Sequence, residues 1–407
     1  MKILWVSNVV LPDVGKALDI DYANAGGWMK AIIPDLAKKQ NIELFVAAPY
    51  SGDKILKVYI DNVNYIVFPR DQTDRSWLQI IPDIRPNIIH LHGTEFSHGK
   101  ILMDIFPNEK YVTSIQGLVS IYSYHYKAFI PHRIATRKSI RDFLKQDSIK
   151  QQSRKFMKRG LIEKEILSKT KHIIGRTNWD KACAYQINPN AAYHHCNESL
   201  RESFYNNNWD ISKCEKHSIF FSQATYPIKG LHLALMALPQ ILKDFPDSHL
   251  YVAGDNITKN ETLKQKLKIS SYGKYLNELV YKLKLKEHIT FLGNLCEEDM
   301  CERMMNSHVF LSASSIENSP NSLGEAMLLG VPCISSDVGG VTNMMKHNTE
   351  GYIYPADEYY MISYYVKEIF DNPDIALQFS EKAKNHAKNT HDKIKNIDEL
   401  IQIYKKI

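Results

Sequence analysis

No run of this 407-residue chain approaches the roughly 20 consecutive apolar residues that a bilayer-spanning helix needs, so helical membrane crossing is not expected. The opening residues Met1 to Ser7 carry one cation and pass straight into a strand-like run ending at Asn8, without the small-residue cleavage site of a signal peptide. A cytoplasmic location is therefore expected. Cysteine is sparse. Six residues (Cys183, Cys196, Cys214, Cys296, Cys301, Cys333) show neither CxxC spacing nor the density of a disulfide framework, which disfavours a zinc ribbon and a small secreted scaffold. The GxGxxG fingerprint is missing, which disfavours a nicotinamide oxidoreductase. Internal repeats and low-complexity segments are also lacking.

The length itself is too great for one compact core and predicts two domains. The stretch around which they are organised is Val309 to Gly351, which reads as strand, tight loop, helix, strand and glycine turn. Ser319 is placed to cap the helix, with Pro320 at its first position, and Gly330 with Pro332 predicts its end. A helix start built from Ser319, Asn321 and Ser322 offers backbone N–H groups and a positive dipole end to an anion such as a phosphate. Glu317 before the helix and Glu325 inside it flank that point, and carboxylates accept hydrogen bonds from sugar hydroxyls. A diphosphate with a hydroxyl-bearing group on either side is a nucleotide sugar.

Glu317, seven residues, Glu325, then Ala-Met, Leu-Gly-Val-Pro, Asp337-Val-Gly-Gly and Glu350-Gly351 in order resemble the donor site of retaining glycosyltransferases of family 4, the group 1 transferases. The resemblance implies an α/β protein of GT-B fold, two Rossmann-like doubly wound domains facing across a cleft. It implies that Glu317 orients the donor sugar, that Glu325 holds the ribose, and that Lys229 and the amides of Ser319 to Leu323, Leu323 included, stabilise the departing diphosphate. No metal or other cofactor is expected beyond the nucleotide-sugar substrate.

Along the chain, a loop from Asn8 to Ala25 leads to Gly26-Gly27 and a helix, Trp28 to Lys39. The resemblance gives these glycines the close approach to phosphate or acceptor; a plain tight turn is the alternative. Asp19 and Asp21 formally match an acid-x-acid metal pattern but lack a preceding strand. The apolar run Ile88 to Leu91 reads as a buried strand ending in His92-Gly93, and the resemblance makes His92 a contact to the donor sugar while His90 packs inside. Lys127 to Lys171 is dense in lysine and arginine with apolar residues between. Such a surface suits anionic lipid or a phosphorylated acceptor, with a solvated helical face as the plain alternative; nucleic acid is not expected. Lys171 to Asp180 reads as the last strand of the first domain, opening at Arg176, which meets either a phosphate or Asp180. His194-His195-Cys196 gives no tetrahedral metal set.

Domain boundaries are expected at 1–205 for the acceptor domain, 206–217 for a linker and 218–389 for the donor domain, with a helix at about 390–407 crossing back onto the first. The second domain opens at Ser218, and Lys229-Gly230 matches the family's diphosphate clamp. Gln223-Ala224 stands where the family has Gly-Arg, a loss of a bidentate guanidinium. Gly254 ends a further strand and joins the donor-binding set. The chain thus reads as a retaining glycosyltransferase moving sugar from a nucleotide diphosphate to a saccharide or lipid-linked saccharide in surface polysaccharide synthesis, peripheral on the inner membrane face. An epimerase on the same fold and a non-catalytic nucleotide-sugar-binding protein are the alternatives.

Overall fold

The computed structural model describes residues 1–22 and 26–407, so the last three residues of the predicted 8–25 loop lie outside the described residues. Contacts divide the chain into two units: 1–120 with 158–201 and 391–407, and 121–157 with 202–390.

The first unit is an eight-stranded sheet in the order β3-β4-β2-β1-β5-β6-β7-β8. Its strands are β1 (Lys2–Val6), β2 (Glu43–Tyr50), β3 (Leu56–Ile60), β4 (Val63–Pro69), β5 (Ile88–His92), β6 (Tyr111–Ser114), β7 (His172–Gly175) and β8 (Ala192–His195). All pairs are parallel except β3 with β4. Strand β3 escapes the sequence reading because its side chains are half exposed and alternate, without the apolar run of its neighbours. Its hairpin turns through Asp61 and Asn62, which both take positive φ, as a two-residue turn of this hand requires. In β1 successive residues serve opposite faces: Ile3 and Trp5 join one core with Met29, Ile33 and Leu400, while Leu4 and Val6 join another with Trp77 and Ile81. The returning helix Lys393–Lys406 belongs to this unit. It brings Tyr404, whose hydroxyl accepts from Trp5 Nε1 at 2.9 Å.

The second unit carries an all-parallel six-stranded sheet in the order β11-β10-β9-β12-β13-β14. These are β9 (Glu215–Phe221), β10 (His249–Ala253), β11 (Ile289–Gly293), β12 (Ser307–Ser312), β13 (Cys333–Asp337) and β14 (Tyr352–Pro355). Apolar, buried strands alternating with helices produce this doubly wound form.

The division departs from the expected boundaries in three places. Residues 121–157 group with the second unit because they are bonded to it: His232 Nε2 meets the Ala128 carbonyl at 2.7 Å, Ser271 N donates to Asp142 at 2.9 Å, and Ser315 Oγ donates to the His125 carbonyl at 2.9 Å. Residues 206–214 are tied into the second unit rather than forming a separate linker, because Trp209 donates from its backbone to Leu329 and from its indole to Ser307. Strand β8 follows β7, so Lys171 to Asp180 does not end the first sheet.

Candidate functional site

In the second sheet the strand order reverses between β9 and β12, and open α/β sheets bind ligands beyond the carboxyl ends of the strands at such a point. The loops leaving these two strands carry Lys229 and Glu317. After β9 the chain makes a short 3-10 turn, Pro227–Lys229, stopped by Gly230 at φ 76° before the helix Leu231–Asp244. A Cβ at Gly230 would overlap the Ala313 carbonyl oxygen, so only glycine lets this turn lie against the loop after β12. Ser315 N donates to the Ile228 carbonyl at 2.8 Å and fixes the two loops together.

Their side chains meet. Lys229 Nζ lies 2.6 Å from Glu317 Oε1, and Ser314 Oγ donates to the same oxygen at 2.7 Å. The Glu317 carbonyl accepts from Gly340 N at 3.1 Å, so the loop after β13 holds this residue from below. Burial works against the charge on Lys229, but the Glu317 carboxylate, Tyr226 and the direct hydrogen bond outweigh it and hold the ammonium above its usual range. Lys229 is therefore a cation with three N–H donors, of which the carboxylate takes one.

The helix beyond is Asn321–Leu329, with Gly330 at φ 85° closing it where predicted. Its start is a correction. Pro320 is the flanking residue, with ψ 116°, and no side chain caps the helix, so Ser319 is not its N-cap. The extended backbone at Pro320 delays the first helical residue to Asn321. Leu323 N already donates to the Pro320 carbonyl at 3.0 Å, which engages one of the expected phosphate-binding amides. Glu325 is 3% exposed within this helix, and Gly254, at φ 92°, ends β10 with its N–H bonded to the Gly293 carbonyl at 2.8 Å. Glu350, part of the motif run, accepts from Lys346 N and His386 Nδ1, each at 2.8 Å, and so serves the fold locally.

In the first unit the order reverses between β1 and β5, and the assigned residues gather there. Gly26, at φ 79°, precedes the helix Gly27–Ala37, which begins one residue earlier than expected. His92 ends β5 between Trp5 and Trp28, with ring centroids 4.2 and 4.9 Å away. It is 5% exposed, and among the described residues neither ring nitrogen has a hydrogen-bond partner. Burial and the neighbouring His90 push its pKa well below the usual histidine value, so the ring is neutral. His90, by contrast, is saturated by the Tyr404 hydroxyl at 2.6 Å and Ser114 Oγ at 2.7 Å. Both rings line a small pocket of about 30 Å³ that also contains Arg176, Glu198 and Ser199. The Arg176 guanidinium pairs with Glu198 at 2.5 Å and donates to the Ile115 and Gln116 carbonyls. Only its backbone N–H reaches Asp180, which corrects the predicted side-chain partner. The reason is that Asp180 caps the start of the helix Asn178–Ile187.

Sequence reasoning missed Ser314, Glu198 and Glu163. Ser314 was legible as a small hydroxyl residue three before Glu317; the other two come from distant segments. Glu163 accepts from Val119 N, Ser120 N, Ser120 Oγ and Thr94 Oγ1. Among the described residues, no three His, Cys, Asp or Glu side chains are grouped to hold a metal, and no helix is long and apolar enough to cross a membrane.

A cation, a carboxylate and a glycine turn brought together at a sheet's reversal point invite comparison with known proteins. Residues 207–386 match the family model described as Glycosyl transferases group 1. The matched segment is just under half of the chain and contains Lys229, Glu317 and Glu325. The Bacillus subtilis protein YtcC is 27% identical over 176 residues, 42% of this chain and 41% of that protein. The chain thus spans about two fifths of that relative's length. Sucrose-phosphate synthase from Thermosynechococcus elongatus superposes over 100% of this chain and 98% of its own, with a TM-score of 0.73 at 14% identity. The Anabaena protein HepE, solved in complex with UDP and glucose, superposes over 100% of both chains with a TM-score of 0.71 at 13% identity. With two Rossmann-like parallel sheets, the fold is GT-B.

Proposed function

We propose that the protein is a retaining glycosyltransferase that moves a sugar from a uridine diphosphate donor to a hydroxyl of a saccharide acceptor. The observation that carries this reading is the Lys229–Glu317 pair at 2.6 Å, set at the reversal point of the second sheet inside the group 1 domain. Lys229 faces the diphosphate with its remaining N–H donors, and the start of the helix Asn321–Leu329 adds the amides of Asn321 and Ser322 and its dipole. Glu317, fixed by Lys229 and Ser314, orients hydroxyls of the sugar, and Glu325 takes the ribose. Ala224 is neutral and 1% exposed, so the leaving charge rests on Lys229 and the helix start. In the first unit, His92 offers one ring nitrogen as donor and one as acceptor to a sugar hydroxyl. The bound UDP of HepE supports the choice of nucleotide.

Retention follows from a same-face route in which the departing phosphate takes the acceptor proton, so that the C1–O(phosphate) bond breaks as the C1–O(acceptor) bond forms. No metal enters the scheme. A peripheral role in lipid-linked polysaccharide synthesis is supported by the basic 127–171 stretch, in which Ile140, Phe143 and Leu144 stand exposed among Arg137, Lys138 and Lys145. The test is transfer from a panel of UDP sugars with the product's anomeric configuration read by NMR. Unimpaired transfer by Glu317→Gln and Lys229→Ala would sink the residue assignments. Absence of sedimentation with vesicles rich in the anionic lipid phosphatidylglycerol would sink the membrane role.

A further inference from the structure

The second unit contains a larger pocket that the proposed donor site does not use. It encloses about 490 Å³, within the roughly 300–1,000 Å³ typical of small-molecule sites. One wall is the 121–157 segment, with Tyr126, Arg141, Gln152 and Phe156; the other is formed by Tyr226 and by Ser271 at the start of the helix Ser271–Lys282.

Its chemistry selects a ligand class. Tyr126, Phe156 and Tyr226 supply aromatic faces, on which the C–H face of a pyranose can stack. Arg141 is held by Asp147 through two contacts, 2.9 and 2.8 Å, with Asp142 3.5 Å away. That pairing offsets the Arg141 charge and leaves a fixed set of donors and acceptors side by side, with Lys268 as a further cation on the lining. A phosphate only accepts and would face the Asp147 carboxylate, whereas sugar hydroxyls both donate and accept. Ser271 Oγ adds a second pointer: Ser271 is 2% exposed, lines the pocket, and its hydroxyl has no partner among the described residues. A buried hydroxyl left unpaired is destabilising, a penalty that a ligand hydroxyl would remove.

Position joins this pocket to the donor loop. Tyr226 and Pro227 line it, and Pro227 shares its 3-10 turn with Lys229. We propose that this pocket is a saccharide-binding subsite that seats the acceptor next to the diphosphate clamp. That it serves the acceptor rests on the proposed transferase reading; that it binds saccharide does not.

The test uses the full chain and a defined panel: methyl α- and β-glycosides of glucose, galactose, mannose and N-acetylglucosamine, and the corresponding disaccharides. Saturation-transfer NMR measures their affinity for wild type, Phe156→Ala and Gln152→Ala, and hydrogen exchange maps the bound state. The expected result is at least one binder, weakened about tenfold or more in each variant, with protection gained in 141–156 and 257–272. UDP stabilisation is measured on the same samples and is expected to persist in all three. The proposal is overturned if no panel member binds wild type, if binding survives both variants, if protection maps elsewhere, or if both variants lose saccharide and UDP together. Saccharide binding without UDP binding would instead remove the donor reading and leave this subsite standing.

Discussion

The Lys229–Glu317 pair makes opposite predictions for its two members, which separates a binding role from a structural one. The side chains are 21% and 10% exposed and meet at 2.6 Å. Lys229→Met removes the one cation assigned to the diphosphate. A charge-assisted hydrogen bond is worth about 1.5–3 kcal/mol, so the Kd for UDP should rise roughly 10- to 150-fold. It also strips Glu317 of its counter-charge, leaving Ser314 Oγ as its remaining side-chain partner in this contact. After allowance for partial exposure, that costs about 2 kcal/mol, a fall of roughly 4–8 °C in the melting temperature of a unit this size. Glu317→Gln keeps the shape, since its amide oxygen can still accept from Lys229 and Ser314. It leaves the ammonium less neutralised, so UDP should bind as tightly as before or more tightly. Transfer, which needs the carboxylate on the sugar, should fall on the order of 100-fold. Isothermal titration with UDP and a transfer assay on both variants read these outcomes. If Glu317→Gln weakens UDP as much as Lys229→Met does, the pair is a structural strut and the role assignment fails.

Three further outcomes follow from the packing. Gly230→Ala should destabilise the second unit by more than about 3 kcal/mol because its Cβ would strike the Ala313 carbonyl, whereas Gly293→Ala, with nothing within 4 Å of the added carbon, should cost only about the 1–2 kcal/mol of a left-handed backbone; comparative thermal unfolding checks the contrast. Burial pushes the Glu163 carboxyl up to about 7, against the pull of the Ser120 and Val119 donors. Its folded value lies above the unfolded one, so the folded chain binds the extra proton, and first-unit stability should fall by up to about 3 kcal/mol as pH rises from roughly 4.5 through 7. Denaturant midpoints against pH should show that slope, and Glu163→Gln should flatten it. Tyr404→Phe should cost about 2–4 kcal/mol, because the indole of Trp5 and the ring of His90, both buried, each lose a partner; an unchanged melting temperature would refute that count.

Sequence alone determined the repeating units. Continuous apolar runs such as Ile88 to Leu91, each ending at a polar or glycine residue, specify buried parallel strands and mark their carboxyl ends, because side-chain period and turn chemistry are local properties. Gly330 as a helix stop and Lys229-Gly230 before a helix were equally legible, since a left-handed φ is written into the residue itself. Strand β3 and the true start of the 321–329 helix were not. One lacks an apolar run, and the other depends on the backbone angle that the preceding loop imposes on Pro320. Tertiary structure alone decided which distant groups meet. Nothing in the spacing of residues 88 apart says that Lys229 Nζ rests on Glu317, or that Arg176 abandons nearby Asp180 for Glu198. It also moved residues 121–157 into the second unit, because hydrogen bonds from His232, Ser271 and Ser315 outweigh chain proximity. Partner choice is a matter of three-dimensional approach, and the strand order that brings β9 beside β12 is what sets it.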